Sequence, residues 1–239
     1  MGHGRKFSLW ALLKELLDLE CVEIRMWGDE EGARTYRYFI RLHPRYKIIR
    51  NKAWGVALIP LPDTFEEYLR GKDKQALRTN RRRAFAEGYY FDEFSPLEHL
   101  QEMLDINRSK PIRQGKPMAK TYIEEQELIA CLEKIPSMFG VFNAKGLLRA
   151  YAYVPVYGEV AVVSRLLGHG DDLEKGIMYL LLSEIIRYLI ELKNKQGVPK
   201  WIMYDTFFGA LPGLRYFKER MGFKPYRVRW SWCSKCSKE

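Results

Sequence analysis

The chain has 239 residues, 47% of them hydrophobic, with a net charge of +10 and a pI near 9.3. That is enough apolar material to bury a core without disulfides or metal. No stretch reaches the roughly 20 uncharged apolar residues of a membrane span, and the first residues lack the apolar run of a signal peptide, so a cytoplasmic protein is expected. Cys233 and Cys236 form a CxxC with no second pair or nearby histidine to complete a zinc site. His3, His43, His99 and His169 lie far apart without metal spacing, and neither a metalloenzyme nor a serine hydrolase finds support. The basic balance points to an anionic partner: a nucleic acid, a phosphorylated cofactor, or an anionic membrane or cell-wall precursor.

In chain order, "FSLWALLKELLDLE" carries leucines at the three-and-four spacing of an amphipathic helix, with Ser8 as its cap. "CVEIRMW" reads as a strand, "ARTYRYFIRLHP" alternates as a second, and "AWGVALIPLP" is a short apolar run closed by prolines. Thr64-Phe65-Glu66-Glu67 is a capping box, so a helix is expected from Phe65 to a stop at Gly88. Seven basic residues against one acid, Asp73, fall between Arg70 and Arg83. Wound at about 100° per residue, Arg70, Lys74, Arg78, Arg81 and Arg82 fall in one arc beside an apolar stripe, a basic ridge.

"YYFDEF" reads as a strand, "PLEHLQEMLDINRS" as a helix, "KPIRQGKPM" as a stiff loop, and "YIEEQELIACLEKI" as a helix. A hairpin follows, "SMFGVFN" to "LLRAYAYVPV", then a strand "EVAVVSRLL" and a long helix from about Leu173 to Lys195. "KWIMYD", Pro212 to Met221 and "KPYRVRWSW" close the chain as strand, helix and strand.

Strand, glycine turn, long helix, strand, helix, strand resembles the acyl-donor half of the GNAT acyltransferase superfamily. "FEEYLRGKDKQALRTNRRRAFAEG", "GDDLEKGIMYLLLSEIIRYL" and "YDTFFGALPGLRYFKERMGF" carry that resemblance over residues 60 to 232. It implies an α+β, GNAT-like (acyl-CoA N-acyltransferase) fold, a central mixed, mostly antiparallel sheet flanked by helices. The expected organisation is an N-terminal helix and strand meander packed on the core (1–62), the GNAT-like domain (63–232) and a flexible tail (233–239). CoA-using members usually show Arg/Gln-x-x-Gly-x-Gly/Ala at the long helix. Here Leu173-Glu174-Lys175-Gly176-Ile177-Met178 keeps one glycine. Many such members carry a tyrosine four residues before the closing Gly-Phe corner, whereas this chain has Lys218. Gly-Leu-x-x-Phe-Lys before a glycine is similar to Fem-type aminoacyl transferases, which move an amino acid from tRNA onto a cell-wall precursor amine. Fem-type proteins are normally longer, with two such domains.

What the resemblance implies is an acyltransferase acting on a primary amine, with no tightly bound cofactor and aminoacyl-tRNA or acyl-CoA as co-substrate. Amide formation needs a neutral amine, a polarised carbonyl and a stabilised oxyanion. Lys218 among aromatic residues is the candidate oxyanion partner, its alternative being a solvated surface lysine. Tyr204 and Asp205, ending a strand, are candidates to orient the amine or take its proton, Asp205 equally a turn cap. Ser164, Arg165, Gly168, His169, Gly170, Lys175 and Gly176 are donor-binding candidates, the last of them at a helix N-terminus suited to phosphate. Arg70, Lys74, Arg78, Arg81, Arg82 and Arg113 are candidates for an anionic acceptor, tRNA or another polyanion. An acyl-CoA-dependent N-acetyltransferase and a non-catalytic nucleic-acid-binding module are the alternative readings.

Overall fold

The computed structural model describes residues 18–44 and 47–234. The helix expected over residues 7–20 falls outside them but for its last three positions, and Cys236 falls outside altogether. Strand β1 (Cys21–Met26) leads to α1 (Glu30–Ile40), β2 (Val56–Pro60), α2 (Phe65–Tyr68), α3 (Gln75–Ala86), β3 (Tyr90–Phe94) and α4 (Leu100–Arg108). A small hairpin, β4 (Ile112–Arg113) and β5 (Lys116–Pro117), precedes α5 (Lys120–Ile123) and α6 (Glu125–Leu132). Then come β6 (Met138–Phe142), β7 (Leu148–Tyr153), β8 (Val156–Tyr157), β9 (Val160–Val162) and β10 (Arg165–Gly168). A 3-10 turn (Gly170–Lys175), α7 (Ile177–Gln196), β11 (Trp201–Thr206), α8 (Pro212–Met221) and β12 (Lys224–Trp232) complete the described chain.

Six strands in the order β1-β12-β2-β11-β9-β8 form one sheet, and β10-β7-β6-β3 form a second. Among the described residues only β1/β12 and β9/β11 run parallel, so the expected mixed, mostly antiparallel arrangement holds. β1 and β2 share the large sheet with β11 and β12, β2 lying between those two. Helix α7 packs beneath both sheets. Leu180, Leu181, Ile185, Ile186 and Leu189 meet Val141 and Ala150 of one sheet and Ala57 and Ile202 of the other in a single cluster. Each such side chain contributes about 1.5 to 3 kcal/mol when fully buried. No helix among the described residues is long and apolar enough to cross a membrane.

Several local expectations are corrected. Residues expected to alternate as a strand form α1. The Asp29 carboxylate accepts from Gly32 N–H at 2.9 Å, Glu30 and Glu31 occupy the first turn, and Phe39 stacks on Trp230 at 4.8 Å. These end effects and one aromatic face outweigh a two-residue alternation. The helix expected from Phe65 to Gly88 is two: Thr64 caps α2 as anticipated, but the chain breaks at Gly71, where φ is +105°. The helix expected over "YIEEQELIACLEKI" likewise breaks at Glu124, which is extended. Gln114 and Gly115 both adopt positive φ, turning the expected loop into the β4–β5 hairpin. "EVAVVSRLL" is not one strand but two, β9 and β10, in different sheets.

Candidate active site

The division of that strand creates the site. Val163 N–H donates to Met203 at 2.8 Å, keeping β9 on β11, while Ser164 N–H donates to Tyr153 at 2.9 Å in the other sheet. Past that point the two strands part, and Tyr204, Asp205 and Thr206 border a gap. β11 bulges in the same place: Met203 faces Leu58 but Thr206 faces Val56, and Asp205 takes φ +51°. A left-handed non-glycine at a bulge is costly backbone that persists only where neighbours hold it.

Lys218 holds it. Its side chain is 1% exposed, and Nζ donates to the Tyr204 carbonyl at 2.7 Å and the Thr206 carbonyl at 2.8 Å, the two that flank Asp205. The ammonium also lies 4.6 Å over the Tyr204 ring. Burial pushes its pKa down to about 8, with Asp205 partly opposing. Lys218 is therefore not the solvated lysine that was the alternative reading of the sequence. Its two hydrogen bonds pin the bulge that carries Asp205.

Two clefts meet at this point. One, of about 280 Å³, is lined by Asp205, Ser164, Lys52, Glu31, Thr35 and Tyr38. Lys52 pairs with Asp205, and the Tyr153 hydroxyl donates to Glu31 at 3.2 Å. The other, of about 450 Å³, lies across β11 and is lined by Tyr204, Leu166, Tyr179, Phe217, Lys110 and Arg113. Successive residues of β11 thus serve opposite sides: Asp205 one cleft, Tyr204 the other. Burial, then the Asp205 charge, raises the Tyr204 pKa, so its phenol stays a proton donor. Ser164, a donor-binding candidate in the sequence, lines the first cleft beside Asp205. Arg165 does not join it but stacks 4.6 Å over the Tyr122 ring.

Solved structures share this architecture. FemX superposes with a TM-score of 0.55 at 10% identity, covering 72% of this chain and 59% of its own. The chain shares its fold with FemX. A conserved protein of unknown function from Bacteroides thetaiotaomicron VPI-5482 matches at TM-score 0.53 and 18% identity, over 71% of this chain and 56% of that one. L-PGS from Bacillus licheniformis matches at 0.49 and 21%, over 71% and 57%. The chain spans less than three fifths of the length of each. No protein-family model and no curated protein matches it.

At the loop expected to hold a donor diphosphate, the backbone of α3 packs against Gly176. Gly176 has φ +84°, and a Cβ added there would sit 2.9 Å from the Asn80 carbonyl carbon and closer to its oxygen. Helix α3 therefore lies directly over the N-terminus of α7, and Arg83 donates to the Glu174 carbonyl at 3.0 Å. Gly176 is a packing glycine. Lys175 pairs with Asp172 at 2.9 Å, and His169 faces Asp105 at 3.3 Å. Gly170 N–H donates to Ser109 Oγ at 2.8 Å, and Gly168 abuts Leu173 and Ile177.

The expected basic ridge is also largely dismantled. Lys74 is buried, donating to the Met221 carbonyl at 2.6 Å, a cation closing the C-terminus of α8. It lies against Gly222 of the Gly-Phe corner, whose φ of +98° favours glycine. Arg78 donates to the Leu69 and Gly71 carbonyls at 2.6 and 2.8 Å. Arg81 pairs with the buried Glu184 at 2.6 Å. Arg70 and Arg82 remain exposed. Arg113 donates to the Ile106 and Gly168 carbonyls at 2.8 and 3.0 Å, fixing the hairpin to β10. Sequence reading missed Lys52, Glu31 and Tyr38, which reach the site from more than a hundred residues away and carry no local signal.

Proposed function

We propose that this protein is an N-acyltransferase that moves an aminoacyl group from aminoacyl-tRNA onto a primary amine in a direct ternary complex. The observation that carries the reading is the gap between parted strands, with Asp205 serving one cleft and Tyr204 the other. The amine enters the smaller cleft beside Asp205, Ser164 and Glu31; the acyl ester lies on the Tyr204 side. The amine nitrogen bonds to the carbonyl carbon, and the carbon–oxygen bond to the ribose breaks. Asp205 accepts the proton released by the nitrogen, and the protonated Tyr204 phenol donates to the oxyanion or the leaving oxygen.

Two features favour a tRNA donor over CoA. The backbone of α3 at Asn80 packs against Gly176 at the α7 N-terminus, on one side of where a diphosphate would sit. The sequence around Lys218 resembles the Fem type, and FemX shares the fold. Labelled aminoacyl-tRNA and labelled acetyl-CoA, each offered with a panel of primary amines, test the proposal. Amine-dependent discharge of the tRNA is expected, falling about a hundred-fold or more in Asp205→Asn and Tyr204→Phe. Transfer from acetyl-CoA alone would overturn the donor, and no transfer from either would overturn the activity.

A further inference from the structure

The smaller cleft carries a negative charge that the protein leaves open. Three carboxylates stand in a row at the start of α1, and two are used: Asp29 caps Gly32, and Glu30 pairs with Arg37 at 2.7 Å. Glu31 is half-buried and lines the cleft, where its Oε2 accepts from the Tyr153 hydroxyl at 3.2 Å. Its Oε1 takes no hydrogen bond and no ion pair among the described residues. Even the Tyr157 phenol that faces this carboxylate, 4% exposed, makes no hydrogen bond to it. Burial first, then the Glu31 charge, hold the Tyr153 and Tyr157 phenols far above their ordinary range. Both stay neutral and cannot offset the carboxylate. Among the described residues that line the cleft, Lys52 is the one cation, and it is already paired with Asp205. Arg41 lies 4.4 Å over the Tyr38 ring but outside the lining. A carboxylate oxygen left free beside aromatic walls, here Tyr38, Phe39 and Tyr157, suits an ammonium ion.

We propose that the acceptor is a diamine, or a longer molecule ending in one, whose reacting nitrogen lies at Asp205 while its second, charged ammonium sits on Glu31. This rests on the transferase reading above and narrows its primary amine to one that carries a further cation. The two carboxylates then have different work. Asp205 takes the proton of the nitrogen that attacks, whereas Glu31 holds a nitrogen that keeps its proton and does not react.

The full chain is titrated by thermal shift with straight-chain diamines from propane to hexane length and with the monoamines of the same lengths. At least one diamine is expected to raise the midpoint saturably, and its monoamine to bind about tenfold more weakly or worse. Glu31→Gln should bring that diamine down to the level of its monoamine. Glu125→Gln, on α6 and outside the cleft, is the control and should leave the preference intact. If Glu31→Gln does not fold, the wild-type comparison of diamine with monoamine carries the test alone. No shift from any diamine at millimolar concentration, monoamines that match their diamines, or a preference that survives Glu31→Gln would overturn the proposal. Binding is read without turnover, so the two readings fail separately. Diamine binding with no transfer from either donor would sink the transferase reading and leave the ammonium site standing. Transfer to monoamines and diamines alike would sink the site and leave the transferase.

Discussion

Gly176→Ala tests whether α3 closes the N-terminus of α7. Two costs add. An alanine at φ +84° pays the left-handed penalty of about 1 to 2 kcal/mol. Its methyl would also lie 2.9 Å from the Asn80 carbonyl carbon, so α3 must shift, and overpacking of this kind costs about 1 to 3 kcal/mol. The expected destabilisation is about 2 to 5 kcal/mol. The same helix supplies a control: Gly197, at its other end, has φ +76° with nothing within 4 Å of an added Cβ. Gly197→Ala should therefore show the backbone cost alone, about 1 to 2 kcal/mol. Urea unfolding of both variants, at unchanged denaturant slope, measures the difference. A Gly176→Ala no worse than Gly197→Ala would mean that α3 does not sit on this helix end. The case against a CoA diphosphate there would then fail, and millimolar CoA should stabilise the wild-type chain.

Further outcomes follow from the buried charges. Lys74 and Lys218 are pushed from 10.5 to about 8 mainly by burial, so between pH 8 and 10.5 the unfolded chain binds more protons than the folded one. Stability should rise through that window by up to about 3 kcal/mol per lysine, and denaturant titrations of Lys218→Met should show roughly half the rise. Burial opposes ionisation of Glu159, yet hydrogen bonds from Arg25 and Lys200 hold its pKa down to about 2 from 4.5. Its stabilisation is present above pH 4.5 and lost as pH falls towards 2; Glu159→Gln should remove about 2 to 3 kcal/mol at pH 7 and flatten that acid limb. Arg81→Ala leaves buried Glu184 with Arg187 alone and should cost about 1 to 3 kcal/mol, whereas the exposed Arg82→Glu should leave stability within about 0.5 kcal/mol. If tRNA binds along this face, Arg82→Glu should reduce the salt slope by about 0.9 per lost duplex contact, and an unchanged slope would exclude it.

Local signals were legible wherever the determining contacts lie within a few residues. The Thr64 cap, the Pro212 to Met221 helix, its Gly222 stop and the β6–β7 hairpin are fixed by dihedral preference and short-range hydrogen bonds, which residue order specifies. The succession of elements in the second half sufficed for the fold class. The alternation in α1 misled because its caps at Asp29 and its Trp230 partner outweigh a weak period-two pattern. The site itself was only partly legible. Tyr204, Asp205 and Ser164 could be placed because strand ends border clefts in such sheets. The partners of Lys218 could not, since they are two backbone carbonyls exposed to it by a bulge that the sequence does not announce. The same holds for the basic helix. Charge density is written in the sequence, but whether a cation meets solvent, a helix end or Glu184 depends on elements about a hundred residues away. Composition and periodicity thus determined the order of elements in the second half of the chain and those elements whose caps and turns are local. The parting of β9 from β10, and with it which charges are buried, paired or left open, was decided by long-range packing around α7, because that helix must satisfy two sheets at once.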